Sequence, residues 1–294
     1  MEKELKLIKL YCTICHHYNN RLVATAQRLS NNFCPKFSDE ECITIYIWGI
    51  YNQKFTVRSA YEFAKEYYGE WFPNLPEYKS FNKRTCYLSE TLKVLSDILL
   101  SELEINPEVR THLIDSMPII VANSKRSGSA KSASEICNKG YCDSKKMYYY
   151  GVKLHSLGQS KYKTLPIPKV MYVTPASVND LPAGKYILDG MRNIDVYCDK
   201  MYKDNAWEAK ILEENDITIF TPVKLNKGQE RLESADNMFS QAVSRVRQTI
   251  ESFFNWLQEI TQIEKASKIR SANGLESFIF VRIAFACLVI GNIL

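Results

Sequence analysis

Three carboxylates stand where their neighbours give no packing reason for an acid. Asp115 interrupts the apolar run "LIDSMPII", Asp199 closes "NIDVYCD", and Glu251 lies in "SQAVSRVRQTIESFFNWLQEI" at the edge of a helical apolar stripe. Hard cations such as Mg²⁺ or Mn²⁺ prefer carboxylate oxygen, and two of them about 3.5 to 4 Å apart can activate an attacking oxygen and stabilise a leaving oxygen at one phosphorus. Three acids suffice to hold such a pair while leaving positions for water and phosphate. Each acid also has an ordinary use. An Asp at a strand end caps turns, and Glu251, four residues after Arg247, would form a helical ion pair worth about 0.3 to 0.5 kcal/mol. Asp115 is harder to dismiss, because an unpaired carboxylate inside a strand is expensive. The spacings of 84 and 52 residues mean that only the fold can bring the three together.

The elements that must position them are legible as periodicities. Ile194, Val196 and Cys198 alternate with Asp195, Tyr197 and Asp199, a strand that stops on its acid. Further strands are expected in residues 110–122, 146–157, 168–177 and 216–224, with helices after "SVND", in "AWEAKILEEN" and from Asn237 onward. In that last helix Val243, Val246, Ile250, Phe253 or Phe254, Leu257 and Ile260 make the stripe beside Glu251. Residues 1–105 are mostly helical, with a capping-box pattern at Ser38 and Glu41 and with Pro73, Pro76 and Pro107 as punctuation. The order predicts a helical N-terminal domain over 1–105 and an α/β domain with one mixed sheet over 106–294.

Composition excludes several classes. With 294 residues, 46% hydrophobic and 24% charged, the chain is expected to be globular, soluble and cytoplasmic. "MEKELKLIKLYC" lacks the apolar core of a secretory signal. The nine cysteines are scattered and odd in number, which favours free thiols. "CTICH" (Cys12, Cys15, His16, with His17 next) matches a minimal haem-attachment pattern and half a zinc site, but neither an export signal nor a second ligand pair accompanies it. "FIFVRIAFACLVIGNIL" is almost long enough to span a bilayer, yet Arg282 sits inside it, so a buried core helix and no membrane partner are expected. No Gly-x-Ser-x-Gly nucleophile arrangement supports a small-molecule hydrolase.

Charge is unevenly placed. Residues 1–110 carry 14 bases and 14 acids, 181–294 carry 14 and 15, and 111–180 carry 10 and 4. The excess lies in 123–169, where Tyr141, Tyr148, Tyr149 and Tyr150 interleave with lysines. Cations release counterions from a phosphate backbone and aromatics stack on bases, so this segment suits nucleic acid, although a solvated loop has the same composition.

In order along residues 105–294, "IDSMPIIVANSKR", "NKGYCDSKKMYYYGVKLH", "VTPASVNDL", "CDKMY" and "RVRQTIESFF" resemble the motif blocks of the DDE transposases of bacterial insertion sequences. The resemblance implies an RNase H-like mixed sheet flanked by helices, preceded by the helical N-terminal domain. It implies Asp115, Asp199 and Glu251 as catalytic metal ligands for two Mg²⁺ or Mn²⁺ ions, and Lys125, Arg126, Lys153, His155, Lys200 and Arg247 near DNA phosphates or behind the ligands. It also implies double-stranded DNA as partner, both element ends and target, and a homodimer on that DNA. Lys79, Lys83 and Arg84 are candidates for recognising the ends. Met201 stands where such blocks often have Gly and is expected to crowd the turn, and Ser244 and Gln258 replace the Tyr and Lys of a related branch. A metal-dependent endonuclease that cuts without joining, and an inactive DNA-binding remnant, share the same blocks.

Overall fold

In the computed structural model, which describes residues 2–26, 35–225 and 228–294, the expected strands form and gather into one mixed sheet. β1 (Thr111–Ala122) is central. It pairs antiparallel with β3 (Met147–Gln159) on one side and parallel with β5 (Ile194–Tyr197) on the other, and β6 (Ile217–Phe220) extends the parallel side. β3 is long enough to serve two partners. Its first part carries β2 (Asn138–Cys142) and its second part β4 (Ile167–Pro175), both antiparallel. β2 has no counterpart among the expected strands.

α6 (Asp180–Leu188) and α7 (Asn205–Asn215) accompany a core cluster built on Ile114, Leu157, Ile187, Val196, Tyr202 and Ile211. α8 (Ser234–Thr261) buries Val243, Ile250, Phe253, Phe254 and Leu257, while Val246 and Ile260 lie half-buried at the edge of that stripe. A sheet whose central strand pairs antiparallel on one side and parallel on the other, flanked by helices, is the RNase H-like arrangement.

The chain divides into two compact units. The sheet unit comprises Glu104–Lys131 and Ile136–Trp256, and the other comprises the chain up to Leu103 with Ser132–Glu135 and Leu257–Leu294. The second unit holds α1 (Glu2–His17), α2 (Asp39–Tyr51), α3 (Val57–Tyr67), α4 (Tyr78–Tyr87), α5 (Ser89–Ser101) and α9 (Ala272–Ile290). α2 begins with the expected capping box: Ser38 Oγ accepts from the Glu41 N–H at 3.1 Å, and the Glu41 carboxylate accepts from the Ser38 N–H at 2.6 Å.

The linear division at residue 105 assigns the last helix to the sheet, whereas α9 packs on α2, α4 and α5. A helix that is apolar all round needs partners on every side, and these helices supply them. By length and composition α9 could cross a membrane; here it is mostly buried. Its Arg282 is satisfied internally, donating to the carbonyls of Thr261, Phe278 and Phe55 and lying over the Phe278 ring.

Candidate active site

The parallel pairing of β1 and β5 ends at Leu113 opposite Tyr197. Asp115 and Asp199 are each two residues further on, so equal offsets bring both acids just beyond the last β1–β5 pair, Asp115 still within β1 and Asp199 past the end of β5. Asp115 Oδ1 accepts from the Ser116 N–H at 2.8 Å. Asp199 Oδ1 accepts from the Lys200 N–H at 2.6 Å, capping the single turn Lys200–Tyr202. Asp199 therefore fills the ordinary capping role and faces Asp115 as well.

Glu251 reaches this point through α8. One turn before it, Arg247 extends its guanidinium between the acids: Nη2 lies 3.3 Å from Asp115 Oδ2 and 3.9 Å from Glu251 Oε1, and Nη1 lies 3.9 Å from Asp199 Oδ1. Exposure grades from the inside outward, with the side chains of Arg247 at 12%, Asp115 at 20%, Asp199 at 38% and Glu251 at 59%. Burial pushes the Asp115 carboxyl up to about 6. Arg247 and the Ser116 N–H pull it down, while Asp180 and Asp199 add to the rise.

Among the described residues no three His, Cys, Asp or Glu side chains are grouped to hold a metal ion. The three carboxylates share one guanidinium instead. Their donor chemistry, all hard oxygen, is the kind that Mg²⁺ or Mn²⁺ prefers, and the guanidinium meets them through two of its nitrogens, at 3.3 to 3.9 Å. The Nε of Arg247 is buried with no hydrogen-bond partner, as are the hydroxyls of Tyr202 and Ser156 and the Nδ1 of His155.

Behind the acids lies a second charged cluster. Asp180 Oδ1 accepts from Ser116 Oγ at 3.0 Å and from Lys153 Nζ at 3.0 Å, and Lys153 also donates to the Val178 carbonyl. His155 is fully buried, with Nε2 2.9 Å from Thr174 Oγ1 and Nδ1 3.8 Å from Asp180. Burial lowers the imidazole to about 4 despite the carboxylate beside it. Lys153 and His155, expected near phosphates or behind the ligands, are both turned inward, where Asp180 at the start of α6 gives the lysine an internal counterion. Asp180 and Ser116 are missing from the expected site. Asp180 stood in the quoted segment "VTPASVNDL", where an Asp at a helix start reads as an ordinary first-turn acid.

The other expected contacts lie apart. Lys125 and Arg126 form an exposed single turn after β1, and Lys200 is exposed beside Asp199. Met201 points outward at 46% exposure and does not crowd its turn. Ser244 donates to the Ser240 carbonyl within α8. In the helical unit Lys79 and Lys83 are exposed on α4, but Arg84 is committed inward, with Nε 2.6 Å from Asp39 Oδ1 and Nη2 2.7 Å from the Ala26 carbonyl. On α1, His17 faces Glu102 at 3.5 Å, and Cys12 and Cys15 are free thiols. Cys34 lies outside the described residues; the other eight cysteines form no disulfide.

The family model described as "Transposase DDE domain" matches residues 107–272, more than half of the chain. Comparison with curated proteins gives no match.

Proposed function

The chain belongs to the family of transposases with a DDE domain, and we propose that it is a metal-dependent DNA transposase, cutting at the ends of an insertion sequence and joining those ends to target DNA. The observation that supports this reading is the convergence of Asp115, Asp199 and Glu251, distant in sequence, on one cationic group. We assign these three as ligands for two Mg²⁺ or Mn²⁺ ions, which when bound would supply Lewis-acid stabilisation of charge at the reacting phosphorus.

The chain's own residues have two tasks. Asp115 and Asp199, fixed by the sheet register and by the N–H groups of Ser116 and Lys200, hold the reaction centre rigid. Arg247, between the acids, is placed to neutralise a phosphate once it leaves them, and Lys125, Arg126 and Lys200 are the exposed cations for the backbone further out. Water attack at an element end breaks the P–O3′ bond, freeing a 3′-hydroxyl and leaving a 5′-phosphate on the flanking DNA; attack of that hydroxyl on a target phosphodiester makes the joint and releases the target's own 3′-hydroxyl. Since the joining step exchanges one phosphodiester for another, the protein's part is alignment and charge neutralisation. Joining two ends in one event calls for a dimer on double-stranded DNA, acting in the cytoplasm.

The test is incubation of the protein with labelled DNA carrying the flanking element ends, a target plasmid and Mg²⁺ or Mn²⁺. Joined product supports transposition. Cut but never joined DNA assigns an endonuclease, and intact DNA bound equally with and without metal assigns an inactive remnant.

A further inference from the structure

β2 and β3 form a hairpin whose two faces differ. The inward face carries Gly140, Cys142 and Tyr149, all buried, and it is pinned down at two points. A Cβ on Gly140 would collide with the Ala176 backbone, and the Asn138 side chain exchanges two hydrogen bonds with Ser177, at 2.7 and 2.8 Å. The hairpin is therefore a fixed support.

The outward face carries Tyr141 and Tyr148, direct cross-strand partners with ring centroids 4.9 Å apart and planes tilted by 59°. They are 45% and 54% exposed, whereas Tyr149 and Tyr150 beside them are buried. Lys139 places its Nζ 4.6 Å from the centre of the Tyr148 ring, and the turn adds exposed Lys145 and Lys146 against a single acid, Asp143.

What sets these two rings apart is their pairing across the strands with lysines around them, a patch in which aromatic and cationic groups lie together. Lysines alone suffice to bind the phosphates of a duplex. Tyrosine rings beside the lysines add stacking against the π-face of a base, which a paired, stacked base does not offer and an unpaired base does.

We infer that the Tyr141–Tyr148 pair, flanked by Lys139, Lys145 and Lys146, is a stacking platform for unpaired nucleotides of the DNA strand being processed. The inference rests on the DNA-processing reading above. Tyr148 lies eight positions along β3 from Ser156, the register partner of Asp115, about 26 Å at about 3.3 Å per residue. The platform thus binds nucleotides away from the reacting phosphate, and its variants leave the acids untouched.

The experiment is fluorescence anisotropy of a labelled oligothymidine and of a duplex of equal length, with the full chain. The Tyr141→Ala/Tyr148→Ala double variant should lose single-strand affinity by about tenfold to a hundredfold while duplex affinity changes by less than about twofold. Tyr141→Phe/Tyr148→Phe should bind both as the native chain does, since the ring is kept. Unchanged single-strand affinity in the Ala pair, equal loss on both DNAs, or loss in the Phe pair would overturn the inference. A native chain that binds neither DNA would overturn the transposase reading along with it, and a native chain that binds only duplex would overturn the platform alone.

Discussion

Arg247 Nη2 lies 3.3 Å from Asp115 Oδ2, joining two residues 132 positions apart and setting a positive charge where three negative ones meet. Asp115 is largely buried, and a buried acid without a counter-charge is costly. Arg247 is thus both the counterion of Asp115 in this conformation and the rival of any other cation at the same point.

Replacing Arg247 with Gln should lower stability by about 1–3 kcal/mol in EDTA, as expected for removing one partner of a part-buried pair. Added Mn²⁺ should then raise the melting temperature of the variant more than that of the native chain. Equal or smaller stabilisation by Mn²⁺ in the variant would show that the guanidinium does not compete at this point.

Asp180→Asn should also be destabilising, by about 1–3 kcal/mol, because Lys153 and His155 lose the carboxylate they face. The control is Asp195→Asn, which weakens a surface contact with Arg110 and should cost less than about 1 kcal/mol. Urea unfolding of both variants checks the ranking, and similar losses would mean that the inner cluster is worth no more than a surface pair.

The pH dependence follows from His155, which faces Asp180, Lys153 and Thr174. Its ordinary value near 6.5 is lowered to about 4 in the fold, so between these values the unfolded chain binds the proton and the folded chain does not. Its contribution is therefore complete above pH 6.5 and is lost as pH falls toward 4, by about 1–3 kcal/mol. The His155→Gln variant should show a shallower fall in melting temperature over that interval. Parallel curves for the two proteins would contradict the assignment.

Gly151 tests the sheet rather than the charges. It pairs with both β1 and β2, and a Cβ there would fall against the Ile119 carbonyl. Gly151→Ala should be more destabilising than Gly128→Ala, whose Cβ meets nothing. Comparison of the two melting temperatures decides it.

Much of this arrangement was legible in the sequence because it rests on local signals. Alternation gave β5 up to the residues before Asp199, the stripe from Val243 to Leu257 gave the buried side of α8, and Ser38 with Glu41 gave the start of α2. What escaped depends on partners far along the chain. β2 is five residues with Gly140 at its centre, and only its pairing with β3 makes it a strand. The packing of α9 among the N-terminal helices leaves no periodic trace, since a helix apolar on every side points nowhere. For Lys153 and His155 the sequence left phosphate contact and a place behind the ligands both open, because their counterion, Asp180, is distant in sequence.

The central claim is that Asp115, Asp199 and Glu251 act as one metal-binding set, and it is tested most directly by cleavage of labelled element-end DNA with Asp115→Asn, Asp199→Asn and Glu251→Gln. Each substitution keeps shape and removes one charge. Each variant should bind DNA as the native chain does yet cleave more than about 10³-fold more slowly, the scale expected when several kcal/mol of transition-state stabilisation are lost. A Glu251→Gln variant that cleaves at the native rate would contradict the account, because its third ligand would then lie elsewhere in the chain.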